Sequence, residues 1–163
     1  MGRLCWLVLT LSSAAGCTNS CPSSAHAPCG DQTIATQDTA GPLVAQNGTG
    51  AAAKGSLDPE IGINWYAYNA QPGVFEHVDP EIYLHAPEVE EVCVYMDCQA
   101  PCPSGTEPAT APNGAAGCCA RGTYQHFQIV GCNNDNVNVW MSVTLDHATE
   151  CNACIGYELD YNW

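Results

Sequence analysis

Apolar and polar residues alternate with a period of two in the C-terminal third of the chain. Val137, Val139, Met141, Val143 and Leu145 alternate with Asn138, Trp140, Ser142, Thr144 and Asp146. Ile155, Tyr157, Leu159, Tyr161 and Trp163 alternate in the same way with Gly156, Glu158, Asp160 and Asn162. Successive side chains of an extended chain point to opposite faces, so each run reads as a half-buried strand. Weaker alternation marks Ile61-Ile63-Trp65-Ala67, Val92-Val94-Met96 and the surroundings of Phe127 and Ile129; short candidates at 74–78 and 82–85 bring the total to about seven strands. No segment carries an apolar stripe at helical spacing bounded by caps. Short strands separated by Pro, Gly and Asn turns predict an all-β fold, a small antiparallel β-sandwich.

From Thr18 to about Glu60 this patterning stops. The stretch is built from Ala, Gly, Thr, Ser, Gln, Pro and Asn and holds no aromatic residue. Such a composition buries too little apolar surface to offset the entropy of ordering it, so it predicts a disordered tether. A tether of that length has a root-mean-square span of roughly 35 to 40 Å. The expected organisation is a leader over 1–16, a flexible low-complexity segment over 17–60 and a cysteine-rich β domain over 61–163. Cys21 and Cys29 either close a small loop within the tether or staple it to the domain.

The first residues have the parts of an export signal: Arg3, an apolar run from Leu4 to Leu11, and the small residues Ser12 to Gly16 before Cys17. The apolar run is far shorter than the roughly 18 to 20 residues of a membrane-spanning helix. Ala14-Ala15-Gly16-Cys17 resembles the lipobox of bacterial lipoproteins, with Ala14 where that family prefers leucine. The resemblance implies cleavage before Cys17, lipidation of its sulfur and a membrane partner held through acyl chains. It also implies a bacterial cell-envelope location, at the outer rather than the inner membrane, because Thr18 and Asn19 follow in place of a retention aspartate. The other reading is an ordinary signal peptide cut near Ala15 or Gly16. In a eukaryotic secreted protein, Asn47-Gly48-Thr49 would accept a glycan.

Cysteine use agrees with export. Of the twelve cysteines, removal of Cys5 with the leader and commitment of Cys17 to lipid leave an even set: Cys21, Cys29, Cys93, Cys98, Cys102, Cys118, Cys119, Cys132, Cys151 and Cys154. An even, dense set outside the cytoplasm reads as a disulfide framework that supplements a small core. Cys151-x2-Cys154 also has the spacing of half a zinc site, with Cys93, Cys98 and Cys102 as further thiolates, but exported thiols oxidise. The adjacent Cys118 and Cys119 are expected to take different partners from among Cys93, Cys98, Cys102 and Cys132.

The formal net charge is −14, with seventeen Asp and Glu against three Lys and Arg. Such a chain repels phosphate backbones, which excludes nucleic acid bound by counterion release. Asn133-Asn134-Asp135-Asn136 offers oxygens for Ca2+ but lacks the glycine and distal glutamate of an EF-hand, and the same residues favour turns. Glu88, Glu90 and Glu91 read as the solvated face of a strand. His77, His85, His126 and His147 are scattered; His147 has Asp146 and Glu150 nearby as conceivable metal partners. No Gly-x-Ser-x-Gly and no phosphate-binding glycine loop occurs, and Lys54 falls in the expected tether.

From Phe75 to Trp163 the sequence is similar in pattern to the pre-peptidase C-terminal β-sandwich modules of exported bacterial proteins. Val92-Cys93-Val94-Tyr95-Met96-Asp97-Cys98, a turn-rich stretch, a valine-patterned strand and the final Tyr157-Glu158-Leu159-Asp160-Tyr161 carry the resemblance. It implies a non-catalytic accessory or interaction module; the expected partner is an envelope protein or a surface glycan. The expected function is therefore a cell-envelope lipoprotein presenting a binding domain with no catalytic residue and no cofactor. The alternative is a secreted hydrolase or a Ca2+-dependent binding protein.

Overall fold

The computed structural model describes Cys29 and residues 34–43, 51–58, 62–71, 78–130, 136–145 and 154–162. These form one curled, mixed sheet of eight strands: β1 (Gly41–Pro42), β2 (Ala51–Leu57), β3 (Ile63–Ala70), β4 (Glu81–Met96), β5 (Glu107–Thr110), β6 (Ala116–Gln128), β7 (Val137–Leu145) and β8 (Ile155–Asn162). A single turn of 3-10 helix, Gln37–Thr39, precedes β1. The all-β expectation holds, whereas the sandwich of separate antiparallel sheets is replaced by a half-barrel. The added strand β1 runs parallel to β3.

The long strand β4 produces the curl. Along its whole length it has β6 on one side, but on the other it pairs first with β8, through 81–85, and then with β7, through 90–96. Between His85 and Glu90 the ladder with β6 slips, so that four residues of β4, 86–89, face Thr123 alone. Pro87, with no N–H to give to a ladder, stands in this bulge. On β6 the inward positions change parity there: Cys118 and Ala120 before, Phe127 after. Gly122, at φ 151°, adopts the backbone conformation that makes this switch.

The concave side holds the main core, with Ile82, Leu84, Val92, Val94, Val139, Met141 and Leu159 fully buried. The inward residues of β7 and β8 are those of the sequence alternation. Two expectations are corrected. Residues 51–57, placed in the tether, form β2 and pair in full register with β8; β8 supplies the apolar surface that an Ala-rich strand lacks. Lys54 lies 3.1 Å from Glu158 across that ladder. Glu90, read as solvated, is fully buried while its neighbour Glu91 is not, because adjacent residues of a strand cannot share a face.

A buried polar cluster closes the seam between β2 and β3. Asn64 Nδ2 donates to the Ser56 carbonyl at 3.0 Å and to Tyr157 Oη at 2.9 Å. The Tyr66 and Tyr157 hydroxyls share a hydrogen bond of 2.5 Å. Both rings fit because position 55 is glycine: a Cβ there would collide with the Tyr157 hydroxyl and lie 2.7 Å from that of Tyr66. Burial first, and then the neighbouring Tyr66, lift the Tyr157 phenol well above its ordinary range; burial and then Tyr161 do the same for Tyr68. A phenol whose pKa is raised by folding contributes stability that is complete below the unfolded value of about 10 and is lost as pH rises above it. Thermal melting should therefore fall steeply above about pH 10. Tyr157→Phe and Tyr68→Phe should each flatten that fall. At neutral pH, Tyr68→Phe should be neutral or stabilising, because the buried Tyr68 hydroxyl has no hydrogen-bond partner among the described residues.

Disulfides join Cys29 to Cys154, Cys93 to Cys119 and Cys102 to Cys118, and Cys98 is also disulfide-bonded. Cys118 points to the concave core and Cys119 to the opposite face, so their bonds diverge. Cys29 is tied to the domain rather than to a tether loop. Its N–H donates to the buried Asp58 carboxylate at 3.1 Å. Disulfides at this density form in oxidising compartments, which fits an exported protein.

Candidate functional site

The convex face of β3, β7, β4 and β6 carries a second, smaller apolar cluster. Strand register sets its rows. One row aligns Trp65, Ser142, Cys93 and Cys119, and the next aligns Ala67, Trp140, Tyr95 and Gly117. Trp65 stacks on Tyr95, with centroids 5.5 Å apart and planes 26° from parallel. The Cys93–Cys119 bond crosslinks β4 to β6 beside them. Gly117 leaves room for this packing, since a Cβ there would collide with the Val94 carbonyl and crowd the Tyr95 ring. Ala111, from the loop between β5 and β6, is buried in the same cluster, and Ala40 and Ala115 pack against it.

Trp140 stands half-buried at the margin of this cluster. Beyond it the face turns polar, with a continuous chain of hydrogen bonds. Gln71 Nε2 donates to Asn69 Oδ1 at 3.0 Å, and Asn69 Nδ2 donates to Asn138 Oδ1 at 2.9 Å. Asn138 then gives its backbone N–H and its side-chain Nδ2 to the two oxygens of Asp97, at 3.1 and 2.7 Å. Two donors on one carboxylate fix its plane. A groove of about 330 Å³ lies here, lined by Trp140, Asp97, Gln99, Asn113 and Ala115 among others. The far wall is held in place from behind: Asn113 N–H donates to Gln37 Oε1 and Asn113 Oδ1 accepts from Ala115 N–H, both at 2.9 Å.

A different polar network braces the outer face of β8, β4 and β6. Glu81 accepts from Tyr83 Oη, His126 Nε2 and Asn162 Nδ2, each at 2.9 Å. Bonds from Asn162, His126 and Tyr83, in that order, hold its carboxyl below the usual range. Tyr83 and His126 stack face to face at 4.1 Å, and His85 meets the exposed Tyr124 edge-on. This arrangement commits Glu81 as an acceptor and ties three strands together.

Other sequence-predicted positions fall as follows. Cys17, Cys21, Cys132 and Cys151 lie outside the described residues, as do His77, Asp146, His147, Glu150, residues 133–135 of the Asn-rich segment and Asn47 to Thr49. Asn136 is exposed at the entry to β7, and the side chain of Glu88 is not among those described. Cys154 is bonded to Cys29 and so is not free to ligate zinc with Cys151. Glu91, Cys93 and Cys119 hold donor atoms within 4.8 Å of one another. The two sulfurs are joined as a disulfide, however, and are not thiolate ligands; Glu91 pairs with Arg121 Nε at 2.6 Å. No protein-family model and no curated protein matches the chain.

Sequence reasoning passed over Trp140, Asp97 and Asn113. The alternation already placed Trp140 among the polar positions of β7, beside Asn138. A tryptophan on the outward side of a strand was the available signal.

Proposed function

We propose that this protein is an exported lipoprotein, anchored through acyl chains on Cys17, whose β domain presents a non-catalytic binding site at a bacterial cell envelope. The convex groove beside Trp140 carries the binding part of this reading. It combines one large apolar ring with polar groups already oriented by neighbours, which is the composition of a recognition site. Its carboxylate, Asp97, is oriented by the backbone N–H and the side-chain amide of Asn138. The disulfides support export, and the lipobox-like segment supports the anchor. The domain reaches back to Cys29, so the stretch between it and Cys17 spans at most about 40 Å. A tether through residue 60 would extend to roughly 150 Å.

Intact mass spectrometry of protein from native membranes tests the anchor. The mature chain should begin at Cys17 and carry acyl mass, and a Cys17→Ser variant should lose both that mass and membrane association. Unacylated wild-type protein would sink the lipoprotein reading.

A further inference from the structure

We propose that the Trp140 groove binds a neutral saccharide, with a sugar ring stacked on the indole and its hydroxyls bonded to Asp97, Gln99 and Asn113. This rests on reading the groove as the binding site. A pyranose has a face of C–H bonds and a rim of hydroxyls. The negative face of an aromatic ring attracts the first, and amide and carboxylate groups satisfy the second. The groove offers both along one line, because Trp140 and Asn138 are two residues apart on β7 and Asp97 is held by Asn138.

Charge narrows the class. Among the described lining residues Asp97 is the one carboxylate, and none is Lys, Arg or His. With a chain charge of −14 around it, the site disfavours phosphorylated or uronic sugars. A volume near 330 Å³ lies at the low end for small-molecule sites, about 300 to 1,000 Å³, and suits a short saccharide segment. Preorganisation supplies the rest. The Asp97 carboxylate and the Asn113 backbone are already fixed, so little freedom remains to be lost on binding.

Nuclear magnetic resonance on the full-length protein tests this, following the indole N–H of Trp140. The probes are neutral tetrasaccharides of glucose, mannose, galactose and N-acetylglucosamine, a tetragalacturonate, and a tryptic digest of casein as a source of short peptides. At least one neutral tetrasaccharide should shift Trp140 saturably while leaving Trp65 little changed, and the uronate should not. In isothermal titration calorimetry with that saccharide, Trp140→Ala should weaken binding at least tenfold, and Asp97→Asn severalfold, with both variants retaining the wild-type melting temperature within a few degrees. Raising the salt concentration should leave the affinity unchanged. If only the peptides shift Trp140, the groove remains a binding site and the saccharide class is wrong. If neither sugars nor peptides move it, both readings fall.

Discussion

Replacing Cys29 and Cys154 together by serine should lower the stability of the domain by about 2 to 4 kcal/mol, a fall in Tm of roughly 6 to 12 °C. The two cysteines are 125 residues apart, against 26 for Cys93–Cys119 and 16 for Cys102–Cys118. In the loop-entropy account, the gain from a crosslink grows with the logarithm of the chain it closes. The longest link therefore restrains the unfolded chain most, by about 2 kcal/mol more than the shortest. There is also a native-state consequence. The bond holds Cys29 where its N–H meets Asp58, a carboxylate buried at the end of β2. Differential scanning calorimetry of the double variant, beside the matching Cys102/Cys118 double variant, checks both the size and the order. An unchanged Tm for the Cys29/Cys154 pair would show that the N-terminal segment is not part of the cooperative unit.

A second large effect is expected at Leu159. It is fully buried on β8 directly opposite Leu84, also fully buried, at the place where β4 takes β8 as its partner. Truncating a fully buried leucine removes its transfer free energy and leaves a cavity that the curled sheet cannot close without moving β4. Leu159→Ala should cost about 2 to 5 kcal/mol. That is a large share of the 5 to 15 kcal/mol typical of a whole domain. Asp160→Ala, one residue along on the exposed face, should change stability by no more than about 0.5 kcal/mol. Urea denaturation compares them: the midpoint should drop for Leu159→Ala and stay in place for Asp160→Ala. Equal midpoints would mean that the inward face of β8 has been assigned to the wrong set of residues.

The inward face of β8 is among the most legible features of the chain, because a strand with one dry side advertises it at every second residue. β7 is legible for the same reason, and so is the divergence of Cys118 and Cys119, which follows from adjacent side chains facing opposite ways. Legibility ends where structure depends on pairing across the sheet. Nothing local in Ala51-Ala52-Ala53-Lys54-Gly55-Ser56 marks a strand, since its order comes from six register partners on β8. Gly55 there reads as linker composition until Tyr157 and Tyr66 are seen packed over it. Glu90 looked solvated beside Glu88 and Glu91 because alternation alone does not say which of two adjacent glutamates turns inward at a bulge. The parity change of β6 at Gly122 is hidden for the same reason.

The candidate site was less visible than the core. Asp97, Asn113 and Trp140 come from three separate parts of the chain and converge only when β4, β7 and the β5–β6 loop are side by side. Their residue types are those of ordinary turns and strand surfaces. The hydrogen-bond chain from Gln71 to Asp97 is a property of the assembled sheet. It depends on the register of β7 against β3 and β4.

The disulfides staple the half-barrel that carries the groove, so a disulfide map tests the account most directly. The unreduced protein should be digested with proteases at low pH, to prevent exchange, and its linked peptides identified by mass spectrometry. The account predicts Cys29–Cys154, Cys93–Cys119 and Cys102–Cys118. A Cys21–Cys29 loop, or Cys118 and Cys119 with their partners exchanged, would contradict it.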